Sequence, residues 1–357
     1  MRLAAIASAL ATLLCVAVFG AILFGKRSVS EESSAPVLAG PVERQASVTA
    51  ATVATAVQAS AATRAPMVIA QASPPPSPWP AFSPPPCSNP NALGIARVVE
   101  IDTTGGPGFG FEHFKSHDFL REGEVVLTFD DGPWPKNTQA VLAALAAHCT
   151  KAIFFPIGLH ATYEPSILKQ VAAAGHAIGS HTWCHQDLSK TKGRCNVNGK
   201  VQTVEYDPKD EIEMGISAVH WAVGGPTAPY FRFPALRQPP ELIEYLAKRN
   251  IAMFSTDMDS FDFKMRKPEQ VRQSVMDKLK KHGKGIVLMH DFQHATAEAA
   301  MDLLNDLKAG GYKVVFMQPK FAVPTIAAYD EKVLKQVKSP GGGDARPTST
   351  VVRTISE

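Results

Sequence analysis

The chain has 357 residues, with 36 Lys or Arg against 33 Asp or Glu, so its net charge is only +3. Because there is no basic block anywhere, this balance argues against a nucleic-acid-binding protein. A hydrophobic fraction of 45% is enough for a sizeable core, and the length accommodates one large domain, or two ordinary ones, with tails.

The N-terminus carries an uncharged, largely apolar run from Leu3 to Phe24, bounded by Arg2 and by Lys26 and Arg27. As a helix this run would span about 33 Å, close to the hydrocarbon thickness of a bilayer. A cleavable signal peptide is the alternative, since "VFG" before Ala21 is a passable cleavage site. We favour a signal anchor over residues 1–27, which would hold the rest of the chain outside the cytoplasm, in the periplasm or cell envelope. Cleavage would instead give a secreted protein.

Residues 28–90 are rich in Ala, Ser, Thr, Val and Pro and include "SPPPSPWPAFSPPP" at 73–86. Such a stretch buries too little surface to fold, and its prolines favour an extended spacer. We therefore predict a disordered linker over 28–90, a folded domain over 91–330 and a disordered tail over 331–357.

Within the folded region, short β-branched or aromatic runs alternate with helical patterns. One helical pattern begins at Pro268 and ends at Gly283, as is typical of helix termini. Strands alternating with helices predict an α/β domain with a parallel sheet, open or closed into a barrel. The predicted strands are EVVLTF (124–129), KAIFFPI (151–157), HAIGS (176–180), APYFRF (228–233), IAMFST (251–256), GIVLMH (285–290) and YKVVF (312–316).

Charged and imidazole side chains gather at the C-terminal ends of these strands, where parallel α/β folds build their sites. A scatter of surface charges would not prefer one end of every strand. The "DDGP" sequence at 130–133 is therefore more than an ordinary turn. The residues concerned are Asp130 and Asp131, His181 and His185, Arg232, Asp257, Asp259 and Asp262, and His290 and Asp291.

His181 and His185, four residues apart, form with one of these carboxylates a three-ligand set that leaves a coordination position open. Catalytic zinc sites have such a set, and so do ferrous oxygenases, so the ligand types alone leave the metal undecided. A second pair, His113 and His117, precedes the first predicted strand and has no partner at the sheet edge. We interpret it as structural.

Four cysteines fall in the predicted exported part, namely Cys87, Cys149, Cys184 and Cys195. An oxidising compartment would allow two disulfides in any of three pairings. We prefer Cys184–Cys195 because these two are close in sequence. The polar segment 188–209 interrupts the alternation of strands and helices and is predicted to be an insertion.

The strings "TFDDGP", "SHTWCH", "FRFPALR", "DSFDF" and "LMH" resemble, in the same order, the five motifs of the NodB-like polysaccharide deacetylases, carbohydrate esterase family 4. The resemblance covers roughly residues 120–320. It implies a distorted (β/α)7 barrel and a hydrolase that removes acetyl groups from a polysaccharide.

Residue by residue, the resemblance implies a divalent metal, usually Zn²⁺ with Co²⁺ or Mn²⁺ as alternatives, held by Asp131, His181 and His185. It implies that Asp130 is the general base with Arg232 as its orienting partner, and that His290 is the general acid, tuned by Asp262. The backbone N–H of Ala235 would help to hold the oxyanion. Ala235 stands where the family commonly has Tyr, and Phe263 where it commonly has Trp. Both departures bear on the choice of substrate more than on the chemistry.

We expect a metal-dependent enzyme that removes N-acetyl groups from an amino-sugar polymer. Peptidoglycan N-acetylglucosamine is favoured by the predicted export and long stalk, with chitin-type oligosaccharides or O-acetylated xylan as alternatives. An iron oxygenase would leave Asp130, Arg232 and His290 unexplained. A non-catalytic glycan-binding domain would be favoured by a lost ligand or base, and none is lost.

The predicted anchor has a direct test in the topology of the chain. A reporter fused after residue 330 is expected to be active only if it works in an exported compartment, because the apolar run would place the domain across the membrane. The full-length chain should then be found in the membrane fraction. Activity of a strictly cytoplasmic reporter at the same junction would contradict the prediction.

Overall fold

The structure of the protein, a computed structural model, describes residues 78–82, 87–197 and 200–338, all within one compact unit of the chain. The anchor predicted over 1–27 lies outside the described residues, as do most of the predicted linker and tail. Within the described ranges, no helix is long and apolar enough to cross a membrane.

Twelve strands are present in the described residues, and several are only two or three residues long. In chain order they are β1 (Arg97–Ile101), β2 (Gly108–Phe109), β3 (Glu124–Asp130), β4 (Ile153–Phe155), β5 (Ala177–Ile178), β6 (Lys192–Val197), β7 (Lys200–Glu205), β8 (Tyr230–Phe231), β9 (Ala252–Phe254), β10 (Met258–Asp259), β11 (Gly285–His290) and β12 (Lys313–Pro319). All seven strands predicted from sequence are found.

Eight α-helices lie between and after these strands in the same described ranges. They are α1 (Asn137–Ala147), α2 (Gly158–Tyr163), α3 (Pro165–Ala173), α4 (Pro208–Val223), α5 (Pro240–Lys248), α6 (Pro268–His282), α7 (His294–Ala309) and α8 (Ala327–Lys338). The predicted helix from Pro268 to Gly283 is confirmed, with Gly283 as its C-cap. Short 3₁₀ turns follow β8 at Pro234–Leu236 and β10 at Asp262–Lys264.

The central strands pair in parallel, so the predicted α/β class is confirmed. Pairing runs from β10 through β11, β3 and β4 to β5, while β12 joins the first residues of β3 and carries β1 at the edge. β8, β9 and β2 form a second parallel sheet. An isolated bridge between Phe231 and Ser180, just beyond β5, connects this sheet to β5. The strands are therefore arranged in the order of a barrel, but the hydrogen-bonded pairing of strands is interrupted at two places, after β5 and between β9 and β10.

Strand β3 shows how the alternation of side chains sets up the interior. Its seven residues are all buried, because parallel strands have both faces covered. Leu127 and Phe129 pack in the cluster that includes the α1 and α7 side chains, whereas Val126 lies in a different cluster with Phe155 and Phe254. Side chains two residues apart share a face. Thr128 and Asp130 therefore lie on the same face as Val126, toward the inside of the curved sheet.

The folded domain is larger than the predicted 91–330 at both ends. Trp79 and Phe82, within the predicted linker, pack against the inner apolar cluster. At the other end, α8 continues to Lys338, with Val333 buried, instead of giving way to a disordered tail after residue 330. Compositional bias concealed both segments, since a few apolar side chains suffice to dock a terminal segment on an existing core.

Two disulfides fasten the segments that flank the strands. Cys184 is bonded to Cys195, as predicted, and Cys87 is bonded to Cys149. The first joins β6, at Cys195, to the loop that carries His185, and β6 and β7 form an antiparallel hairpin, which is the structure of the predicted insertion. The second ties the residues before β1 to the end of α1.

A buried ion pair connects α4 to α5 and provides a test of the packing. Glu213, with no exposed surface, accepts hydrogen bonds from Arg249 at 2.8 and 3.0 Å and from the Tyr245 hydroxyl at 2.7 Å. Glu213→Gln would leave the guanidinium without its counter-charge and should lower the free energy of unfolding by about 3–5 kcal/mol. Denaturant unfolding measures this loss. Glu244→Gln, which breaks an exposed pair with Lys248 in α5, the helix that ends just before Arg249, is the matched control and should change stability very little. Equal stability of the two variants would contradict the prediction.

Candidate active site and metal centre

Three of the predicted ligands converge where β3 and β5 end. Asp131 Oδ1 lies 3.4 Å from Nε2 of His181 and 3.5 Å from Nε2 of His185. One ligand atom from each residue lies within 4.8 Å of the others, which is the arrangement of a three-ligand metal site. Among the described residues, this is the one group of three or more possible ligands that lie close enough together to hold a metal ion. His113 and His117 are not part of it.

Local backbone and hydrogen bonds orient each ligand. Asp131 follows β3 with φ 73°, in the left-handed region, which turns its side chain away from the direction taken by Asp130. His181 Nδ1 lies 2.7 Å from the backbone carbonyl of Arg232, so Nδ1 carries the proton and Nε2 presents its lone pair to the site. The loop that carries His185 is held by Glu211, whose carboxylate accepts the N–H of Cys184 at 2.9 Å.

The protonation states suit metal ligation. Burial lowers the pKa of His181 to about 4, so its imidazole is neutral near pH 7. Burial pushes the pKa of Asp131 upward, but the neighbouring imidazoles of His185, His181, His290 and His160 outweigh it, and the net shift is downward. A neutral imidazole and an ionised carboxylate are the forms in which these residues bind cations.

One buried oxygen of the site lacks a hydrogen-bond donor among the described residues. Asp131 Oδ1 is buried and accepts no hydrogen bond from any described residue. A buried carboxylate oxygen without a partner is costly, and a cation placed against it would remove that cost. The oxygen faces two imidazole nitrogens, so the donor set is one carboxylate and two histidines. These residues fit a divalent metal, and zinc matches the ligand types.

The neighbouring carboxylate has a different partner. Asp130 Oδ1 accepts a hydrogen bond of 2.7 Å from Arg232 Nη1, and both side chains are buried. The guanidinium is itself held by Thr128 Oγ1 at 2.7 Å and by the Ser255 carbonyl at 2.9 Å, and it stacks on the Phe155 ring. Asp130 Oδ2 lies 4.0 Å from His181 Nε2, beside the three-ligand set. Asp130 thus pairs with an arginine through one oxygen, while its other oxygen lies beside the three-ligand set.

The predicted acid and its tuning residue form a second pair. His290 Nδ1 lies 2.6 Å from Asp262 Oδ1, and Nε2 points toward Asp131 Oδ2 at 4.0 Å. Asp262 Oδ2 accepts the backbone N–H of His290 at 2.7 Å and the Thr296 hydroxyl at 2.6 Å, which locks the carboxylate. Burial lowers the pKa of His290, but the Asp262 carboxylate more than compensates and raises it to about 9. The imidazole therefore carries a proton near pH 7.

Other polar residues predicted at the strand ends serve the fold. Asp257 accepts the N–H groups of Phe111 and Ile286, each at 2.6 Å. Asp259 accepts the N–H of Phe261 at 2.8 Å. Asp291 accepts the N–H of Gly132 at 3.1 Å, and a side chain at Gly132 would collide with that carboxylate, which explains the glycine in "DDGP".

Ala235 lies in the exposed 3₁₀ turn after β8, three residues beyond Arg232, with φ 52°. Its backbone is thus held in the left-handed region, where a residue other than glycine is uncommon.

Three supporting residues escaped the sequence analysis. Thr128 was detectable, because it stands two residues before Asp130 and so shares its face of β3. Thr296 reaches Asp262 from α7, and nothing local to either residue signals that contact. His160 Nδ1 lies 2.7 Å from the backbone carbonyl of Asp131, so this histidine supports the site without joining the ligands.

Exposed aromatic rings line one side of the site. Phe263 is 46% exposed, and its ring centroid is 5.6 Å from that of His290. Phe261 is 40% exposed and lies against Phe263, and Lys264 Nζ sits 4.5 and 5.3 Å from the two ring centroids. We call Phe261, Phe263 and Lys264 the aromatic rim. It presents two apolar rings, inclined at 65° to each other, and a cation beside the predicted acid.

Comparisons with known proteins agree with this geometry. The polysaccharide deacetylase family model matches residues 119–254, which include both aspartates, the two histidines predicted as ligands and Arg232. A chitooligosaccharide deacetylase of Azorhizobium caulinodans is 28% identical over 207 residues, 58% of this chain and 90% of that protein. The peptidoglycan-N-acetylglucosamine deacetylase PgdA of Listeria monocytogenes is 30% identical over 54% of this chain, which spans 37% of that protein.

Among solved structures, a peptidoglycan deacetylase of Bdellovibrio bacteriovorus matches with a TM-score of 0.54 and 28% identity, covering 68% of this chain and 63% of that one. The family match stops before Asp262 and His290, but the fold brings that pair to the same site. Residues 119–254 are thus similar to the polysaccharide deacetylases, and the relatives that match the chain are named as deacetylases, a class of hydrolases.

Proposed function

We propose that this protein is a metal-dependent hydrolase that removes N-acetyl groups from an amino-sugar polymer, with peptidoglycan N-acetylglucosamine as its substrate. The observation that carries the proposal is the division of labour between the two adjacent aspartates. Asp130 is neutralised by Arg232, while Asp131 presents an unpaired buried oxygen to two imidazoles. The coarser assignment to polysaccharide deacetylases rests on the family match and on the named relatives.

Asp131, His181 and His185 would hold the metal, for which we propose Zn²⁺. Once bound, a divalent cation would make water acidic enough to lose a proton near neutral pH and would polarise the acetyl carbonyl. Two imidazoles and one carboxylate leave coordination positions free for water and substrate.

Asp130 would act as the general base. Arg232 fixes one of its oxygens, so the other has a defined direction, and the full burial of the pair prevents the carboxylate from rotating into solvent. Such positioning is what makes proton transfer from an attacking water efficient. The oxyanion that develops on the acetyl group would be stabilised in part by the Ala235 N–H.

His290 would act as the general acid. The nitrogen leaving a sugar amide is a poor leaving group unless it is protonated, and His290 holds a proton near pH 7 because Asp262 pairs with its Nδ1. The proton at Nε2 is the one available to the substrate, since Nδ1 is held by the carboxylate. After transfer, Asp262 stabilises the correct tautomer for the next cycle, as carboxylates do beside catalytic histidines.

Two other functions explain less of the site. An iron oxygenase would use the same three ligands, but it would leave the pairs Asp130–Arg232 and His290–Asp262 without a role. A non-catalytic glycan-binding domain would not need a buried base beside a protonated acid. Hydrolysis uses both pairs.

The aromatic rim supports an acidic polymer over neutral chitin or xylan. Sugars stack on exposed aromatic rings, and Phe261 and Phe263 offer such a surface next to His290. Lys264 of the rim, and Arg266 and Lys267 just after it, form no ion pair with any described residue. Their positive charges are therefore available to bind an anionic substrate. Peptidoglycan bears carboxylates along its glycan strand and peptides, whereas chitin is uncharged.

We further propose that the domain works outside the cytoplasm, held in the membrane by the segment 1–27. The disulfides Cys87–Cys149 and Cys184–Cys195 support an oxidising compartment.

Replacing Asp130 and Asp131 one at a time separates their roles. Asp131→Asn exchanges an anionic ligand for a neutral amide, so the purified protein should lose its metal and with it the activity. Asp130→Asn removes no ligand, so its metal content should stay near that of the wild type. Its deacetylation rate should still fall by about a hundredfold to ten-thousandfold, the contribution of a positioned base.

Metal analysis of both purified variants, with rates measured at saturating zinc, decides the assignment. Each variant controls for the other, because the residues are adjacent and the substitution is the same. Loss of metal from Asp130→Asn with retention in Asp131→Asn would reverse the two roles.

The role of the rim in substrate choice is tested by Lys264→Gln. Loss of the cation should raise KM for peptidoglycan by about threefold to tenfold, the value of one partly exposed charge contact, and leave chitooligosaccharide turnover unchanged. Lys281→Gln, an exposed cation in the last turn of α6, is the matched control and should change neither. An equal effect of Lys264→Gln on both substrates would contradict recognition of an acidic polymer.

A further inference from the structure

A second cavity, of about 580 Å³, lies at the end of the sheet opposite to the metal ligands. Lys151 and His176 line it, and they stand immediately before β4 and β5, whereas His181 and Asp131 come after β5 and β3. Parallel strands place these two sets of residues at opposite edges. We call this cavity the base pocket, and nothing in the deacetylation chemistry uses it.

The base pocket contains a buried cation without a partner. Lys151 is only 7% exposed, yet its ammonium makes no ion pair or hydrogen bond with any described residue. Its Nζ is also not among the buried side-chain nitrogens and oxygens that lack a partner and are sealed from solvent. The ammonium therefore reaches the surface of the cavity. Burial lowers the pKa of Lys151, as expected of a charge that lacks compensation.

Two more donors point into the same space. His176 Nδ1 accepts the N–H of Ala152 at 3.2 Å, so the proton of this neutral imidazole is on Nε2. Lys169 extends over Gly224, with its Cε in contact distance of where a side chain at Gly224 would begin. No carboxylate is found among the residues that line the pocket in the described part of the chain. The polar side-chain groups that face the pocket are therefore hydrogen-bond donors, and the lining side chains include no carboxylate to accept from them.

The remaining walls are apolar and in part aromatic. Phe82 packs on Phe316 with ring centroids 5.2 Å apart, and Trp79 lines the pocket beside them. The segment that carries Trp79 is fastened to the sheet, because its N–H donates to the Lys320 carbonyl at 3.1 Å and Pro78 bridges to Phe321. One wall is therefore contributed by residues that were predicted to be linker.

We propose that the base pocket binds an organic oxyanion, a carboxylate or a phosphate carried on an apolar or ring-containing body. Lys151 and Lys169 would supply the charge, the His176 Nε2–H a directional hydrogen bond, and Trp79, Phe82 and Phe316 the contact with the body. The volume lies in the usual range of small-molecule sites. The site is separate from the deacetylase site and does not depend on the proposed function.

The test uses the full-length purified chain and three probes. Benzoate carries a carboxylate on a ring, inorganic phosphate is an oxyanion alone, and benzamide is the uncharged match of benzoate. Thermal unfolding and isothermal titration calorimetry are measured for the wild type, Lys151→Met and Lys169→Met, with the exposed Lys281→Met as control. We expect at least one oxyanion to raise the Tm of the wild type and to bind with a Kd of about 1 mM or tighter, and benzamide to do neither.

Lys151→Met should weaken that binding by at least about tenfold, and Lys169→Met by a smaller factor because it is exposed. Without ligand, Lys151→Met should unfold at the same temperature as the wild type or higher, since it removes a buried unpaired charge. That result separates lost binding from lost folding. Lys281→Met should bind like the wild type.

The probes also distinguish the sources of the anion. Binding of benzoate alone supports a carboxylate ligand, and binding of phosphate supports a phosphate ester, provided that either is lost in Lys151→Met. The proposal is overturned if neither oxyanion binds at about 10 mM, or if Lys151→Met binds as tightly as the wild type. Benzamide binding equal to that of benzoate would also overturn it, because the charge would then have no role.

Discussion

Two adjacent carboxylates at the end of a buried strand repel each other and resist burial, and Arg232 is the residue that allows this fold to hold them. Its side chain neutralises Asp130 through a bond of 2.7 Å, while its backbone carbonyl binds His181 Nδ1 at 2.7 Å. The residue directly after β8 therefore orients both the proposed base and a proposed metal ligand. Removing it would leave a buried anion unpaired and a ligand free to rotate.

Strand β3, which ends at Asp130, also orients several groups of the site at once. Strand β3 directs Leu127 and Phe129 to the helices and Val126, Thr128 and Asp130 to the inside of the sheet. Thr128 and Asp130 meet the same guanidinium from this inner face. Asp131 then leaves the strand in a left-handed conformation, which aims the second carboxylate at the imidazoles instead. A single change of backbone conformation thus gives the neighbouring acids different partners.

The two ends of the sheet have different characters. At the C-terminal ends of the strands, paired charges surround an unpaired carboxylate oxygen that needs a cation. At the N-terminal ends, Lys151 has no ion-pair partner among the described residues, which is the basis of the proposed anion site. Residues 78–82 form a wall of the second cavity, which means that the segment leading into the domain also shapes one of its surfaces. The aromatic rim beside His290 shapes the other.

The sequence by itself determined the strands, the parallel α/β class and the set of residues at one edge of the sheet. These features depend on local patterns, since apolar runs specify buried strands and strand polarity places their C-terminal ends together. The Cys184–Cys195 bond was predictable for the same reason, because its residues are close along the chain. Only the tertiary structure decided which acids pair with Arg232, with Thr296 and with the imidazoles, and which serve the backbone, as Asp257 does. It alone revealed that Trp79 and Phe82 pack on the domain and that Lys151 is buried without a counter-charge among the described residues. Such facts depend on distances between side chains far apart in the chain, which no local pattern of residues encodes.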